Sequence, residues 1–213
     1  MKNIAIVGAG GFGREVKLII DEINKVEPAY NFIGYYDDGI AKGTLINGSP
    51  LLGTLEDLQN VTGPLSVAVA IGTPEIKKNI IQNLTNTQIS FPNIIHPTAI
   101  IGTDEVMMGK GIIICAYSVI TCNIHIEDFV ILNLMCTVGH DTTIHQYSSF
   151  MPSVNISGEV TIGEAVYVGT GAKIINQLEI GTGTIIGAGA VVSKTLPPNC
   201  TAVGIPAKAI KFH

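Results

Sequence analysis

The sequence predicts an α/β N-terminal Rossmann-like half-domain followed by a left-handed parallel β-helix. Strand-like and helix-like apolar patterns alternate over residues 1–92, whereas apolar residues recur at every sixth position over most of residues 93–213. The chain of 213 residues contains 24 Gly, no Trp and only 6% aromatic residues, which indicates a core too narrow for large side chains. We therefore expect two domains, residues 1–92 and residues 93–213, the second ending in a short tail.

The first domain has the pattern of a parallel sheet with four or five strands and crossover helices. Thr54 has the character of a helix N-cap, and Pro74 is suited to open a helix. The predicted strands are Lys2–Val7, Asn31–Tyr36, Ser66–Ile71 and Gln88–Phe91. The predicted helices are Arg14–Val26, Leu55–Gln59 and a helix from Pro74 to about Asn86.

The six-residue period is the most informative feature of the second domain. From Ile126 onward, every sixth residue is apolar up to Val192, and at an apolar frequency of 46% such a run arises by chance about once in ten thousand trials. Neither a helix nor a flat strand has a period of six, whereas one side of a triangular β-helix does. The predicted inward-facing residues are Ile126, Leu132, Val138, Ile144, Phe150, Ile156, Ile162, Val168, Ile174, Ile180, Ile186 and Val192.

Two details of the repeat lead to further expectations. Glycines such as Gly139, Gly163 and Gly169 directly follow inward-facing residues, so we expect glycine in the tight turns. An earlier run keeps the same period but is offset by one residue before Ile126, which predicts a one-residue bulge near His125. The members of that run are Ile95, Ile101, Met107, Ile113 and Val119.

A glycine-rich loop joins the first predicted strand to the first predicted helix. Gly8-Ala9-Gly10-Gly11-Phe12-Gly13 matches the pattern GxGxxG, in which glycines let a phosphate approach a helix N-terminus. Asp37 lies at about the distance at which an acidic residue contacts a ribose, and Gly72 follows a neighbouring strand. We expect a nucleotide or a nucleotide sugar, because about 90 residues leave little room for the second half of NAD(P). A tight turn without a ligand is the other alternative.

His140 and Asp141 lie at one turn of the repeat, where a core role for histidine is implausible. A histidine with an adjacent acid suits a general base, although a solvated turn histidine is equally compatible with the sequence. His140 and His145 also have the spacing of two zinc ligands. A third ligand is missing at the expected register, where Asp104 stands, so we expect no metal site.

Charge and cysteine content exclude several classes of protein. The net charge is −5 without a basic run, which argues against a nucleic-acid partner. No apolar segment is long enough to span a membrane, and the start of the chain has no signal-peptide pattern. The cysteines show no CxxC pairing and none has a histidine or basic neighbour, so we expect free thiols, a cytoplasmic protein and no acyl-enzyme.

Taken together, these motifs resemble the bacterial hexapeptide-repeat sugar acyltransferases, which include sialic acid O-acetyltransferase and the UDP-4-amino-sugar N-acetyltransferases of bacillosamine synthesis. The resemblance rests on the glycine loop, Asp37-Asp38, the six-residue repeat and the closing segment Val203-Gly204-Ile205-Pro206-Ala207-Lys208. It implies acetyl-CoA as cosubstrate and a homotrimer in which coenzyme A lies between neighbouring β-helices.

The resemblance also implies roles for individual residues. The general base falls on His140, with Asp141 as its acidic neighbour and Asn133 near it. Relatives hold the nucleotide part of the substrate at the positions of Gly10, Gly11, Phe12, Asp37, Asp38 and Gly72. Coenzyme A is implied at Ser149, Thr170, Ala188 and Lys208. Some relatives carry a second histidine at the position of Ser149, so the contact with the donor differs there.

The resulting hypothesis is direct acetyl transfer to the 4-amino group of a nucleotide-linked sugar. His140 acts as the base, and a backbone N–H near Gly158 stabilises the oxyanion. Backbone amides, with Lys194, Lys208 and Lys211, are the expected partners of the anionic donor. Three alternatives stay open: O-acetylation of sialic acid or another sugar hydroxyl, an NAD-dependent oxidoreductase, and a trimeric scaffold that binds a nucleotide sugar without catalysis.

Overall fold

The computed structural model describes residues 1–213 and places a parallel sheet flanked by helices before the β-helix. The N-terminal elements follow one another as β1 (Lys2–Val7), α1 (Gly11–Val26), β2 (Tyr30–Tyr36), β3 (Leu45–Ile46), β4 (Ser49–Gly53), α2 (Leu55–Gln59), β5 (Leu65–Val69), α3 (Pro74–Asn83) and β6 (Ile89–Ser90). In α1, Val16, Ile19 and Ile20 face the sheet, as their helical spacing predicts. Thr54 caps α2 within a capping box.

The N-terminal sheet has the strand order β3-β4-β2-β1-β5-β6. All neighbours run parallel except β3, which pairs antiparallel with β4. The β3–β4 hairpin is absent from the sequence-based prediction. Its turn is Asn47-Gly48, and both residues have positive φ, 47° and 82°. An Asn-Gly pair at such a turn is the strongest short-range hairpin signal, so the sequence did contain the information.

The β-helix consists of coils of three short strands, and strands at equivalent positions stack into three flat faces. Face 1 contains Ile94–Ile95, Ile113–Ile114, Ile131–Leu132, Ser149–Phe150, Tyr167–Val168, Ile185–Ile186 and the terminal hairpin Cys200–Gly204 and Ala207–Phe212. Face 2 contains Ile100–Ile101, Val119–Ile120, Thr137–Val138, Asn155–Ile156, Lys173–Ile174 and Val191–Val192. Face 3 contains Val106–Met108, Ile124–Ile126, Thr143–Ile144, Thr161–Ile162 and Glu179–Ile180. We refer to the corners between them as the 1–2, 2–3 and 3–1 edges.

The predicted inward-facing residues from Ile126 to Val192 are all buried, most of them completely. In the earlier part of the repeat, the predicted inward-facing residues are wrong by one position from Met107 onward. Met108, Ile114 and Ile120 face the core, not Met107, Ile113 and Val119. The extra residue lies between Ile101 and Met108 and not near His125, because Val106–Met108 already pairs in register with Ile124–Ile126. Glu105, with a positive φ of 52°, occupies the regular left-handed position one coil before Asn123, so the extra residue lies between Ile101 and Glu105.

The expected role of glycine in the turns is also corrected. The left-handed residue of each turn is the third after the inward-facing one, and most of these residues, such as Asp141 and Glu159, are not glycine. Glycines that directly follow the inward-facing residue serve close packing instead. A Cβ on Gly139 or Gly169 would lie 2.6 Å or 2.5 Å from a backbone nitrogen of the next coil. These glycines let the coils stack.

Face 1 of the β-helix joins the N-terminal unit. Ile113, Cys115 and Ile131 share a core with Val16 and Ile20 of α1. At the 3–1 edge, Phe91 packs edge-on against Phe129 with ring centroids 5.1 Å apart. The two units therefore form a continuous packed structure. No helix in it has the length and apolarity that crossing a membrane requires.

A lysine is buried where α3 meets face 1. Lys77 is 1% exposed, and its Nζ donates a hydrogen bond of 2.8 Å to Ser149 Oγ. None of the ion pairs in the structure includes Lys77. Burial without a carboxylate lowers the pKa of Lys77 well below its ordinary 10.5, because desolvation penalises the ammonium form.

Because of this lysine, the free energy of unfolding should vary with pH in the alkaline range. Between the lowered pKa of the folded state and 10.5, the unfolded chain binds a proton at Lys77 that the folded chain lacks, so stability rises with pH over that window. Replacing Lys77 with Met should flatten this dependence by up to about 1.4 kcal/mol per pH unit. Urea unfolding at pH 8 and pH 9.5, at one protein concentration, measures it. Parallel pH dependences in the two proteins would contradict a neutral Lys77.

Candidate active site

His140 lies at the 2–3 edge, as the second residue after the inward-facing Val138. Its carbonyl accepts a hydrogen bond of 2.8 Å from the N–H of Glu159 in the next coil, which fixes the backbone. Its side chain is 56% exposed. The six-residue repeat therefore directs the imidazole outward at a defined height on this edge.

Asp141 holds the imidazole of His140 from the adjacent position. Its Oδ2 lies 2.7 Å from His140 Nδ1, and its φ of 57° is the left-handed conformation of the turn. The hydrogen bond from His140 and a second one from Asn123 keep the pKa of Asp141 below its usual value. An ionised carboxylate can only accept, so Nδ1 carries the hydrogen and Nε2 is free to accept a proton.

Asn123 completes this arrangement and was missed in the sequence analysis. Its Nδ2 donates a hydrogen bond of 3.0 Å to Asp141 Oδ1, from the equivalent left-handed position one coil earlier. The spacing of 18 residues between them is one coil of the repeat. That spacing was available in the sequence once three six-residue segments are counted per coil.

Gly158 occupies the position of His140 in the following coil. A Cβ on Gly158 would lie 2.5 Å from both Cε1 and Nε2 of His140, so the imidazole rests on space that only glycine leaves open. The N–H of Gly158 donates no hydrogen bond within the chain. A free backbone donor therefore lies beside the imidazole, as the sequence analysis expected near Gly158.

The 1–2 edge carries the residues expected to contact coenzyme A. Thr170 and Ala188 are exposed and occupy equivalent positions in successive coils. Neither of their N–H groups donates a hydrogen bond within the chain. Unsatisfied backbone donors at an exposed edge suit a ligand rich in amide and phosphate oxygens. Lys208 is also exposed, in the terminal hairpin.

Within one chain, neither Asn133 nor Ser149 lies beside His140. Asn133 lies at the 1–2 edge, whereas His140 lies at the 2–3 edge, and Asn133 Oδ1 accepts a hydrogen bond of 2.7 Å from the N–H of Leu134. Ser149 is completely buried in face 1 and accepts the hydrogen bond from Lys77. The side chain of Ser149 therefore does not reach an acetyl-CoA molecule bound at the surface of this chain.

The glycine loop forms the expected strand–loop–helix turn. Gly8 has a φ of 95°, and a Cβ on Gly13 would collide with the carbonyl oxygen of Gly8, so the fold itself requires these two glycines. A Cβ on Gly10 would meet nothing within 4 Å, and one on Gly11 would meet only the end of Arg14. Open space above the N-terminus of α1 remains for a phosphate. Phe12 is partly buried in the first turn of α1.

Asp37 and Asp38 line the neighbouring crevice. Asp37 accepts hydrogen bonds of 2.9 Å from the N–H groups of Ala9 and Gly39, so it holds the glycine loop in place. Asp38 accepts one of 2.8 Å from Leu55 at the start of α2. Together with Gly8 and Ile71, among others, they enclose a cavity of about 170 Å³.

The crevice lies against the 1–2 edge of the β-helix. A Cβ on Gly72 would lie 3.8 Å from Met151 Cε, and Met151 occupies this edge one coil after Asn133. Within one chain, the structure thus brings together Gly72, Asn133, Thr170 and Ala188 on one edge, whereas His140 and Asp141 lie on the next. The two edges border face 2 from either side.

Comparison with known proteins assigns the chain to a family. Residues 3–84 match the PglD N-terminal domain, and residues 159–194 match the bacterial transferase hexapeptide repeats. The GDP-perosamine N-acetyltransferase of Escherichia coli O157:H7 is 33% identical over 99% of this chain and 97% of its own. The chain belongs to the bacterial hexapeptide-repeat sugar acyltransferases.

Solved structures share the fold of this acyltransferase over almost its entire length. The acetyltransferase domain of PglB from Neisseria gonorrhoeae FA1090 has a TM-score of 0.90 and 31% identity, covering 99% of this chain and 100% of that one. The PerB structure from Caulobacter crescentus, in complex with CoA and GDP-perosamine, has a TM-score of 0.87 and 28% identity, covering 99% and 98%. These matches confirm the predicted fold class and the enzyme class.

Other reactive side chains of the acyltransferase include His145 and the four cysteines. His145 Nδ1 lies 3.0 Å from Glu127 Oε1, and no group of three His, Cys, Asp or Glu residues is arranged to hold a metal ion. All four cysteines are free thiols, and burial raises the pKa of Cys115 and Cys136 to about 12. A larger cavity of about 610 Å³ lies below the start of α3, and none of the predicted site residues lines it.

The carboxyl pKa of Asp141 provides a direct test of this geometry. Removing a donor destabilises the ionised form, so Asn123→Ala should raise this pKa, and His140→Ala should raise it further because the histidine contributes most. Carboxyl-carbon NMR titration of the three proteins measures the order. An unchanged pKa in Asn123→Ala would contradict the hydrogen bond from Asn123.

Proposed function

We propose that this acyltransferase transfers the acetyl group of acetyl-CoA to the amino group of a nucleotide-linked amino sugar. The observation that carries the proposal is the proximity of the Gly72 loop to Met151, which puts the nucleotide crevice beside the β-helix edge that bears the free amides of Thr170 and Ala188. The names of its relatives, GDP-perosamine N-acetyltransferase among them, support the same reaction.

The two predicted domains divide the work in this proposal. Residues 1–92 bind the nucleotide, with the diphosphate above Gly10 and Gly11 at the N-terminus of α1. Residues 93–213 bind acetyl-CoA through backbone amides, and Lys208, exposed in the terminal hairpin, contacts its phosphates. Four free cysteines suit a reducing compartment, so we place the protein in the cytoplasm.

In the proposed chemistry, the amine nitrogen attacks the thioester carbonyl carbon, and the C–S bond breaks as coenzyme A leaves as a thiol. His140 Nε2 accepts the proton that the amine loses and returns it to the sulfur. Asp141 supports the transient imidazolium, and Asn123 keeps Asp141 in position. The N–H of Gly158, which has no acceptor within the chain, stabilises the tetrahedral oxyanion.

A homotrimer would bring the two halves of this site together. His140 and the donor contacts lie on the two edges that border face 2, so a threefold axis facing face 2 would set the 2–3 edge of one copy against the 1–2 edge of the next. Large apolar side chains exposed at or near these edges support contacts between copies. They are Ile100, Tyr117, Leu134, Met135 and Ile175.

The first test measures the base and the acceptor together. His140→Ala should lower kcat at least roughly 100-fold. His145→Ala is the matched control, because His145 pairs with Glu127 away from the proposed site and its loss should leave kcat nearly unchanged. The assay follows thiol release from acetyl-CoA with UDP-, dTDP- and GDP-linked 4-amino sugars and with sialic acid.

Each outcome of that panel decides between functions. Thiol release with a nucleotide-linked amino sugar, lost in His140→Ala, supports the proposal. Release with sialic acid alone favours O-acetylation. Nucleotide-sugar binding without any thiol release favours a scaffold. Normal turnover by His140→Ala would show that His140 is not the general base.

The second test addresses the shared site. Gly10→Glu should block diphosphate binding, because it adds bulk and negative charge in the open space above α1. His140→Ala and Gly10→Glu should each be inactive alone. Trimers co-expressed in equal amounts should regain about a quarter of the wild-type rate, because one site needs intact edges from two copies. Absence of any regained activity in mixed trimers would contradict a site shared between copies.

A further inference from the structure

The buried face of α3 departs from the pattern of an amphipathic helix. Its buried residues are Pro74 and Lys77, whereas Ile76 is 54% exposed. A lysine inside and an isoleucine outside contradict the usual preference of both residues. Such local violations concentrate where a protein needs a particular geometry more than it needs stability.

The contacts of Lys77 cross from the N-terminal unit to the β-helix. Its Nζ lies 2.8 Å from Ser149 Oγ and 3.4 Å from the carbonyl oxygen of Ser148. Ser149 Oγ has no other hydrogen-bond partner, and that carbonyl already accepts the N–H of Ile131. The pair is thus mutually dependent and directional, unlike the apolar contacts around it.

The position of this pair links the acceptor crevice to the transfer edge. Ser149 lies two residues before Met151, which faces Gly72 across the junction of the two units. Lys77 lies on the first turns of α3, which begins at Pro74, directly after the Gly72-Thr73 loop. Both ends of the contact therefore lie within a few residues of the place where the crevice meets the β-helix.

We propose that Lys77 and Ser149 form a clasp that sets the distance between the nucleotide crevice and the β-helix, and thereby positions the acceptor amine. The inference rests on the proposed function, because only an acceptor that spans both units is sensitive to that distance. Lys77 is a positioning residue here. It is buried and touches neither substrate in the proposed complex.

A double-mutant cycle separates positioning from stability. Lys77→Met leaves the buried Ser149 Oγ without a hydrogen-bond partner, and Ser149→Ala does the same to the amine of Lys77. Each single variant should therefore have a lower free energy of unfolding. The double variant Lys77→Met/Ser149→Ala leaves no orphaned group and should recover most of that stability, yet its contact is no longer directional.

The kinetic readout compares the whole acceptor with its nucleotide alone. With GDP-perosamine as the probe, the double variant should show a kcat lowered at least roughly 5-fold because the amine is misplaced, while the KM for acetyl-CoA stays within about twofold. The Kd for GDP should also stay within about twofold, because GDP occupies only the crevice. A normal kcat with GDP-perosamine in the stable double variant would overturn the proposal.

A second readout does not depend on turnover. Hydrogen–deuterium exchange of α3 and of the Gly72 loop should rise in the double variant, while exchange in the β-helix coils stays unchanged. Unchanged exchange in α3 would overturn the clasp. Absence of thiol release by the wild-type protein with every acceptor of the panel would instead contradict the proposed function.

Discussion

The stacking of successive coils at strand spacing is the constraint on which the rest of this molecule depends. Backbone hydrogen bonds join successive coils in both directions, as from the N–H of Gly139 to the carbonyl of Ile156 in the next coil and from the N–H of Glu159 back to the carbonyl of His140. Successive coils are about 4.8 Å apart. Where the edge is tight, a Cβ on the residue that follows the inward-facing one would collide with the backbone of the next coil, which explains why Gly139 and Gly169 are glycines. The same geometry gives nearly every turn a left-handed residue and an outward-facing residue before it. The edge of the β-helix is therefore a series of equivalent positions, and chemistry is specified by which residue occupies each one.

The His140 corner shows how much the stacking supplies. Asn123 and Asp141 hydrogen-bond because they occupy the same left-handed position in adjacent coils. Gly158 leaves room for the imidazole because it occupies the position of His140 one coil later. Gly158, Thr170 and Ala188 all occupy that position, and each has a free N–H group. One feature of the repeat therefore supplies both the proposed hydrogen bond to the oxyanion and the proposed contacts with acetyl-CoA. Catalytic groups held by a rigid backbone ladder need little reorganisation when charge develops.

The sequence predicted the fold well because its period is strict and because twelve inward-facing positions repeat one chemical requirement. It predicted less where the outcome depends on register between distant segments. The insertion before Met108 was misplaced because both phases of the Ile113-Ile114 and Val119-Ile120 pairs are apolar, and only strand pairing decides between them. The resemblance implied Asn133 near the base, but the position of Asn133 on the 1–2 edge and of His140 on the 2–3 edge becomes visible only when residues are assigned to coils. Lys77 gave no signal, because a lysine in a helix is ordinarily read as solvent-exposed.

The division of the proposed site over two edges gives the buried lysine a physical rationale. An acceptor held in the crevice at the 1–2 edge of one copy must place its amine against His140 at the 2–3 edge of another. The error in that placement is the sum of the errors at the copy-to-copy contact and at the contact between the two units. Apolar packing between Ile131 and α1 allows small sliding movements, whereas a hydrogen bond of 2.8 Å between two buried groups does not. Exchanging both Lys77 and Ser149 for apolar residues removes the pair without leaving a buried polar group unsatisfied, so the pair matters more for the geometry it imposes than for the energy it contributes.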